Sequence, residues 1–408
     1  MLFSVRSSFV VSLLLVLPFF TLFSASCTGQ PGNHHKIAQA TPAAAPACDG
    51  CELLFAGMPE QIDAVDTSKG WQGASQQLIL SGTVFDREGI RPVPGVIIYY
   101  WQTDETGYYA GGEGMHPAAL QHGRLRGWVK SDENGQYKIF TCRPAPYPGE
   151  KIPAHIHLFI LEPGAQHPYY VDDLVFDDDP LLLPYIKKYP PENRGGNGVL
   201  RVLLDGKKQV AEHDIMLGLH IPGYPQKSAS GLNSGLSVGE DQPSFQPYHA
   251  YGPDKGTRTC PVCKYVRYHG LLLFVGSRPD WPKIREWLLF MEKESAKRQQ
   301  YLKAYFIYAN AKGYSKNKRA AELQQLGQEL GLRYLALTYA PSLDDRETEL
   351  YLNQLNEKAE STLIIYRYRK IVAKFINLQP GAENFARVSA CLDKTKGAYF
   401  ALPAPEHE

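Results

Sequence analysis

The chain has 408 residues and a formal charge of +1 at pH 7, from 43 Lys and Arg against 42 Asp and Glu. At roughly 100–200 residues per domain, this length indicates two or three domains. Hydrophobic residues make up 44% and charged residues 21%, which excludes disorder over most of the chain. The near-zero charge argues against a nucleic-acid-binding surface, because binding to phosphate backbones requires a clear excess of basic residues.

The first 26 residues have the features of a targeting signal. Arg6 supplies a positive charge, and the apolar run over 10–23 is short for a bilayer-spanning helix. The run ends in Ser24-Ala25-Ser26, followed by Cys27. Small residues directly before a cysteine resemble a bacterial lipobox, in which the cysteine is acylated after cleavage, although that pattern usually has Leu in place of Ser24. We therefore expect a signal peptide over 1–26.

Lipidation of Cys27 would make the protein an exported one, held at the bacterial cell envelope by a lipid anchor alone. Simple cleavage that leaves Cys27 as a free thiol is the alternative. Residues 27–47 are rich in Gly, Pro and Ala and predict a flexible stalk. Export also places the remaining cysteines in a compartment that permits disulfides.

Composition divides the rest of the chain into three segments. Residues 48–225 contain short β-like runs separated by Gly, Pro and Asp, which predict an antiparallel all-β sandwich or barrel. Residues 226–257 are rich in Ser, Gly, Pro and Asn and predict a linker. In residues 258–402, strand-like and helix-like runs follow the order βαβα-β-ββα, which predicts an α/β domain with helices covering a central sheet.

Two histidines carry the strongest chemical signal. They stand two residues apart in the strand-like sequence Pro153-Ala154-His155-Ile156-His157. Because side chains alternate between the faces of a strand, both imidazoles point the same way and can reach one metal ion. The alternative for an isolated His-x-His pair is the polar face of a half-buried strand.

The surrounding motifs strengthen the metal hypothesis. In chain order they are 81–84, 92–96, Trp101-Gln102, Gly107-Tyr108-Tyr109, 132–137, Pro146-Tyr147-Pro148, 153–157 and 214–218. Together they resemble the intradiol ring-cleavage dioxygenases, non-haem iron(III) enzymes that open catechols between the two hydroxyl-bearing carbons. The resemblance implies an all-β sandwich that uses O2 to oxidise a small catechol-type aromatic.

The resemblance also implies a ligand set for Fe(3+), in which two tyrosines and two histidines hold the ion. The family's first tyrosine follows its glycine by two residues, which selects Tyr109, and its second lies in a Pro-Tyr-Pro turn, which selects Tyr147. The paired histidines fall on His155 and His157. Phenolate oxygen suits a hard ion such as iron(III). One of the tyrosinates can leave the ion and act as a catalytic base.

One position departs from the family pattern. The family usually has Arg three residues before the first histidine, where this chain has Ile152. Such a cation is expected to stabilise negative charge that develops on the substrate ring. Arg124 or Arg126 is a candidate replacement. The departure leaves open a non-catalytic iron- or phenolic-binding surface protein.

Four cysteines form two CxxC pairs, Cys48 with Cys51 and Cys260 with Cys263. A disulfide within each pair, a cross-link between the pairs and a shared zinc site are the alternatives. Separately, the acidic runs at 172–173 and 177–179 predict a solvated loop, with a calcium site as the alternative. Neither the substrate nor the oligomeric state follows from the sequence.

The closing hairpin over 361–375 resembles the last strands of thioredoxins, which implies a thioredoxin-like fold for residues 258–402. In that family the CxxC follows the first core strand and opens a helix, which lowers the pKa of the thiol. Here Cys260 and Cys263 precede the strand-like run 271–275. The predicted roles are therefore a redox-silent docking module or a thiol-disulfide oxidoreductase that works through these two cysteines.

Overall fold

A computed structural model of the chain describes residues 48, 50–225, 231–266, 268–299 and 301–405. The expected signal peptide, the lipidation site Cys27 and the stalk lie outside the described residues. Within the described ranges, the helices are too short or too polar to cross a bilayer.

The N-terminal domain is built mainly of strands. In chain order these are β1 (Val65–Thr67), β2 (Gln77–Phe85), β3 (Ile97–Gln102), β4 (Arg126–Lys130), β5 (Gln136–Cys142), β6 (His155–Leu161), β7 (Tyr169–Tyr170), β8 (Leu174–Phe176), β9 (Val199–Leu200), β10 (Leu203–Asp205), β11 (Lys208–Glu212) and β12 (Ile215–Met216). A short helix, α1 (Leu182–Lys188), and 3-10 helices at Cys51–Phe55 and Pro117–His122 complete the domain.

The strands form two sheets that pack face to face. One sheet has the order β1-β5-β2-β11-β10 with β12 beside β2, and the other has the order β4-β3-β6-β8-β9 with β7 beside β6. Leu78 and Leu80 of the first sheet share a core with Ile98, Ile156 and Leu158 of the second, and each is at most 1% exposed. Burial of these alternating apolar side chains produces the sandwich expected from the sequence.

The expectation of a purely antiparallel sandwich is corrected by the structure. Parallel pairs join β1 to β5, β8 to β9, and both β11 and β12 to β2. Side chains alternate between the two faces in parallel and antiparallel strands alike. The hydrophobic pattern of the sequence therefore could not distinguish parallel from antiparallel pairing. Helix α1 was also not anticipated, because only Leu182 of its residues is buried and its helical pattern is weak.

The C-terminal domain is an α/β unit with a six-stranded sheet. Its elements are β13 (Tyr248–Tyr251), α2 (Pro261–Lys264), β14 (His269–Val275), α3 (Trp281–Lys297), β15 (Leu302–Ala309), α4 (Lys316–Glu329), β16 (Ala336–Ala340), a 3-10 helix at Leu350–Asn353, β17 (Thr362–Arg367), β18 (Lys370–Ile376) and α5 (Ala382–Lys394). The strand order is β13-β16-β15-β14-β17-β18. Buried residues of α3, α4 and α5 share one core with alternate residues of β14.

The described part of the segment expected to be a linker, residues 231–257, packs against this sheet instead. Phe245 is fully buried in the core on the sheet face opposite the three long helices. Ser234 is 1% exposed, and its hydroxyl lies 2.6 Å from that of Thr362. Strand β13, at 248–251, pairs with β16. Gly-, Pro- and Ser-rich composition indicates an irregular backbone, but such a backbone can still be packed when a few apolar side chains insert into a core.

The two domains contact one another through hydrogen bonds and charged groups. The carboxylate of Glu212 accepts a hydrogen bond from Arg367 at 3.1 Å. The Lys370 ammonium lies 3.4 Å from Nδ1 of His213, and burial, followed by the Lys370 charge, lowers the pKa of that histidine. The backbone N–H of Leu204 donates to the carbonyl of Pro403 at 2.8 Å. The domains are thus joined by direct contacts as well as by the connecting chain.

Candidate metal centre

Tyr109 is presented by a tight loop that follows β3. The carboxylate of Asp104 accepts hydrogen bonds from the backbone N–H groups of Thr106 and Tyr108, at 2.9 and 3.2 Å. The loop turns at Gly107, whose φ of 86° lies in the left-handed region that favours glycine. Tyr108 then points outward and is 60% exposed, whereas Tyr109 is half-buried.

A second loop brings Tyr147 against the first. A Cβ at Gly107 would lie 2.2 Å from the carbonyl oxygen of Pro146, so the close approach of the two loops requires glycine. The Thr103 hydroxyl and the Ala145 N–H hold the loops together, donating respectively to the Ala145 carbonyl at 2.7 Å and the Asp104 carbonyl at 3.0 Å. The two tyrosines, 38 positions apart in the chain, therefore become neighbours.

The histidines lie on one face of β6, which pairs with β3 and β8 in the middle of its sheet. His155 lies opposite Val175, and His157 lies opposite Trp101. The two imidazole ring centres are 4.6 Å apart. The predicted same-face arrangement thus follows from the strand geometry.

The four side chains singled out from the sequence converge. The Tyr109 and Tyr147 oxygens are 2.6 Å apart, Nε2 of His157 lies 2.9 Å from the Tyr109 oxygen, and Nε2 of His155 lies 3.1 Å from the Tyr147 oxygen. Two phenolic oxygens and two imidazole nitrogens therefore cluster at one point at the edge of the sandwich. We call Tyr109, Tyr147, His155 and His157 the tetrad.

The other nitrogen of each imidazole has its own partner. Nδ1 of His155 donates to the Pro153 carbonyl at 2.8 Å, and Nδ1 of His157 donates to the Asp173 carboxylate at 2.7 Å. In the neutral tautomer that these bonds select, the lone pair of each ring lies on Nε2, which is directed at the tyrosine oxygens. Such outer partners orient metal-binding histidines and raise their basicity.

Asp173 could also be considered a ligand, because its carboxylate and the two histidines offer atoms within 4.8 Å of one another. Its oxygen, however, is bonded to Nδ1 of His157, on the opposite side of the ring from the Nε2 that faces Tyr109. One ion cannot sit on both sides of that imidazole. We therefore assign Asp173 the role of orienting His157.

The acidic runs were expected to be solvated, and the structure corrects this. Asp177 pairs with Arg201 at 2.6 Å, and Asp178 pairs with Arg143 at 2.7 Å. Asp179 is 7% exposed and accepts the Ala154 N–H at 2.8 Å, directly before His155. These carboxylates fix the strand and loop ends around the tetrad. No spacing rule in the sequence identified them, because these partners are 24 to 35 positions away.

Burial controls the protonation of the tetrad tyrosines. Burial, followed by the proximity of Tyr147, raises the pKa of Tyr109, and burial also raises the pKa of Tyr147. Both phenols are therefore neutral at pH 7 unless a cation is present. A trivalent cation among the four tips would reverse this preference and displace both protons. Two phenols, two unprotonated imidazole nitrogens and a carboxylate behind one of them form a donor set that fits iron(III).

Arg124 and Arg126, the two candidates to replace the family arginine, differ in exposure and in their contacts. Arg126 donates to the Tyr99 hydroxyl at 3.0 Å and to the Ala56 carbonyl, and its guanidinium lies over the Trp128 ring. Arg124 is exposed, and its backbone N–H donates to the Ala110 carbonyl in the loop that carries Tyr109. Of the two, Arg126 is engaged in packing, and Arg124 is the exposed cation beside the Tyr109 loop.

The cysteines of each CxxC motif pair locally. Cys48 is joined to Cys51 and Cys260 to Cys263, with Cα–Cα distances of 5.3 and 5.4 Å. Neither the cross-link nor the shared zinc site considered from the sequence is formed. In the second pair, Cys260 is the N-cap of the four-residue helix α2 and Cys263 lies within that helix, before β14.

Comparison with known proteins identifies a family for the part of the chain that carries the tetrad. The family model described as Dioxygenase matches residues 53–189, and the relatives found are intradiol enzymes. Residues 53–189 are an intradiol dioxygenase domain. The match ends within the N-terminal domain and does not include the C-terminal one.

Three relatives illustrate the similarity. Catechol 1,2-dioxygenase of Acinetobacter baylyi is 29% identical over 175 residues, which cover 36% of this chain and 55% of the relative. The protocatechuate 3,4-dioxygenase beta chain of Burkholderia cepacia is 30% identical over 28% of this chain and 50% of its own length. The 6-chlorohydroxyquinol 1,2-dioxygenase of Cupriavidus pinatubonensis is 28% identical over 31% of this chain and 50% of its own length. The chain thus spans about half the length of the curated relatives it matches.

Solved structures of the same kind are also found. Catechol 1,2-dioxygenase from Acinetobacter sp. ADP1 is 23% identical, with a TM-score of 0.31 over 44% of this chain and 64% of its own. An intradiol ring-cleavage dioxygenase from Tetranychus urticae is 20% identical, with a TM-score of 0.29 over 42% of this chain and 92% of its own.

Proposed function

We propose that residues 48–225 form a non-haem iron(III) dioxygenase that cleaves a catechol-type ring between its two hydroxyl-bearing carbons with O2. The supporting observation is the convergence of Tyr109, Tyr147, His155 and His157, whose tips are linked in a chain by three contacts of 2.6–3.1 Å. Bound iron(III) would supply a Lewis acid that orients the substrate and makes its ring reactive. Membership of residues 53–189 in the intradiol family supports this chemistry.

The protein side chains have separate roles in this proposal. His155 and His157 are neutral donors, held in orientation by Pro153 and Asp173. Tyr109 and Tyr147 balance the charge of the ion as phenolates. Tyr147 is the better base for a substrate hydroxyl, because it lies on a turn whose next residues, Pro148 and Gly149, are exposed. It can therefore move to accept the proton at its phenolic oxygen.

The alternative is an iron- or phenolic-binding protein without turnover. It is favoured by Ile152 at the position of the family arginine and by the engagement of Arg126 with Tyr99 and Ala56. Without a cation near the ring, charge that develops during oxidation is less stabilised. The two functions predict the same iron site and differ only in the consumption of O2.

One experiment tests both functions. Metal-free protein is reconstituted with Fe(3+), and its visible spectrum is recorded before and after catechol is added. We expect a tyrosinate-to-iron charge-transfer band that catechol shifts, together with O2 uptake and release of a muconate-type diacid. A shifted band without O2 uptake would favour the binding protein. A colourless protein that holds no iron would overturn both.

Asp173 provides a separate prediction about the iron site. Asp173→Asn keeps the side-chain shape but removes the charge that faces Nδ1 of His157. We expect iron affinity to fall by about 10–100-fold, the usual cost of losing an outer partner of a ligand histidine. Competition with a chelator measures the change.

Asp172→Asn is the matched control for this prediction. Burial raises the pKa of Asp172 to about 6, and its carboxylate accepts from the Asn193 backbone rather than from the tetrad. Neutralising it should leave iron affinity close to that of wild type. Equal losses in the two variants would show that Asp173 acts through general stability.

For the C-terminal domain we propose a thioredoxin-like fold that serves for docking. The support is the mixed sheet, in which β14 and β15 are parallel while β14–β17 and β17–β18 are antiparallel. Helix α3 begins after β14 with Asp280 as its N-cap and has no cysteine in its first turn. Insulin reduction that is lost in Cys260→Ser would instead favour an oxidoreductase.

Export and anchoring through Cys27 complete the proposal. Its support is the sequence alone, namely the apolar run over 10–23 and the small residues before Cys27. Metabolic labelling with a radioactive fatty acid tests it, with Cys27→Ser as the unlabelled control. Label that is retained in Cys27→Ser would contradict anchoring at this residue.

A further inference from the structure

The first CxxC pair lies at the start of the described N-terminal domain and is followed directly by a buried helical turn. The disulfide joins Cys48 to Cys51, and the 3-10 helix Cys51–Phe55 begins at its second cysteine. Cys51 is 4% exposed and Leu54 is fully buried. We call residues 48 and 50–56 the N-terminal brace.

The N-terminal brace packs on an aromatic cluster behind the tetrad. Cys51 and Leu54 share one buried cluster with Tyr99, Trp101 and Phe159. The three aromatic residues lie on β3 and β6, the strand pair that presents His157. The Trp101 ring stacks on Tyr99 at a centre distance of 5.3 Å and packs at a tilt of 54° against Phe159 at 4.5 Å. The cluster is therefore a packed layer between the brace and the strand that carries the histidines.

This layer contacts the metal centre at three points. Trp101 stacks on the His157 ring, with ring centres 4.6 Å apart and planes 20° from parallel. Tyr109, a member of the tetrad, packs against the cluster. Tyr170 also packs against it, and its hydroxyl donates to Asp173, which orients His157. Two of the four proposed ligands therefore depend on the packing of this layer.

The brace is held at both ends. Beyond the helical turn, Trp128 donates from its indole N–H to the Leu54 carbonyl at 2.8 Å, and Arg126 donates to the Ala56 carbonyl. At the beginning of the brace, the disulfide closes the turn, and the Cys51 N–H donates to the Cys48 carbonyl at 3.1 Å. Loss of the disulfide would release the Cys48 end of the brace, while hydrogen bonds to the Leu54 and Ala56 carbonyls would still hold the other end.

We propose that the Cys48–Cys51 disulfide is a redox-sensitive brace that positions His157 and Tyr109 for metal binding, and that its reduction by a dithiol weakens metal binding. The proposal rests on the iron site proposed above. A thiolate of the dithiol attacks one sulfur, the S–S bond breaks, and the second thiol of the reductant resolves the mixed disulfide. Two electrons and two protons end on Cys48 and Cys51, and the dithiol becomes a disulfide.

Cys48→Ser tests the brace most specifically, because it changes one cysteine of the disulfide and no other residue of the brace. It removes the disulfide without substituting Cys51, the buried cysteine of the pair. We expect Fe(3+) affinity, measured by chelator competition, to fall by about 10–100-fold, as for the loss of other outer supports of metal ligands. The tyrosinate charge-transfer band should shift as the tetrad loosens.

Cys260→Ser is the matched control, because it breaks the chain's other disulfide of the same spacing and likewise leaves one free thiol. That disulfide lies in the C-terminal domain, and iron affinity should remain at the wild-type value. Unfolding midpoints of both variants distinguish local loosening from global destabilisation. Equal iron affinity in the two variants, whether at the wild-type value or below it, would overturn the proposal.

Two further measurements separate the brace from the proposed function. First, metal-free Cys260→Ser protein is reduced anaerobically with dithiothreitol, desalted and titrated with gallium(III), a redox-inert trivalent ion. Its affinity should fall relative to the oxidised protein, whereas Cys48→Ser should not respond to the dithiol. Second, hydrogen exchange of metal-free protein over residues 99–110 should be faster in Cys48→Ser than in Cys260→Ser. Equal exchange would overturn the brace even if wild type bound no iron.

Discussion

Tyr147→Phe should lower the rate of catechol-dependent O2 consumption by about 10²–10⁴-fold, the usual contribution of a positioned acid–base group. The variant lacks the phenolic oxygen that lies 2.6 Å from that of Tyr109 and 3.1 Å from Nε2 of His155. Tyr109, His155 and His157 remain, so part of the iron should be retained. The visible band should weaken and shift, because one of two tyrosinate donors is gone.

Tyr108→Phe is the control for this experiment. Tyr108 is 60% exposed and adjoins the tetrad in sequence, but its ring points away from the site. Removing the Tyr108 hydroxyl tests whether the loss of any tyrosine hydroxyl near the site lowers the rate. We expect the rate of O2 consumption and the visible spectrum to remain at wild-type values. A Tyr147→Phe protein with full activity, or a Tyr108→Phe protein with equal loss, would contradict the assignment of Tyr147.

Arg298→Met should destabilise the C-terminal domain by about 3–5 kcal/mol, the cost of removing one partner of a buried ion pair. The Arg298 side chain is 1% exposed and pairs with Glu294, which is 6% exposed. It also donates to Asp393 at 2.7 Å and to the Ser389 hydroxyl at 3.1 Å, which joins the end of α3 to α5. Without Arg298, the Glu294 charge remains buried and uncompensated. Urea unfolding of the full chain measures the loss.

Arg285→Met provides the comparison on the same helix. Arg285 pairs with Glu329 of α4 at 2.8 Å, and both side chains are more than 40% exposed. A solvent-exposed pair contributes about 0–1 kcal/mol, so this variant should unfold near the wild-type midpoint. Adding Glu294→Gln to Arg298→Met should recover part of the lost stability. Similar losses in Arg285→Met and Arg298→Met would show that burial of the pair is not the cause.

The two histidines of the tetrad could be singled out from the sequence because strand geometry carries their signal, whereas Tyr109 and Tyr147 were selected by the resemblance to the intradiol family. His155 and His157 share a face of β6 as a result of the two-residue period of a strand. Gly107 occupies a left-handed turn that a residue with Cβ would strain, and the family resemblance places the first tyrosine, Tyr109, two residues after it. Apart from the four-residue helix α2, which was not predicted, the described strands and α-helices of residues 258–402 follow the predicted order, because core-facing residues of helices such as α3 recur at helical spacing.

Other features of the site depend on residues that are distant in sequence. Asp173 acquires its role only when the segment before β8 folds back beside His157, 16 positions away. Phe245, in a stretch with the composition of a linker, is buried only because the C-terminal sheet offers it a core. The parallel partners of β2 were also decided at this level.

The sequence by itself thus placed His155 and His157 on one strand face, since periodicity acts over a few neighbouring residues, and its resemblance to the intradiol family added Tyr109 and Tyr147 as candidate ligands. Only the tertiary structure decided which groups orient those ligands. The carboxylate at His157 and the aromatic layer beneath the Cys48–Cys51 turn are brought to the site by strand pairing and core burial. Those forces act between segments far apart in the chain and leave no periodic pattern in either segment.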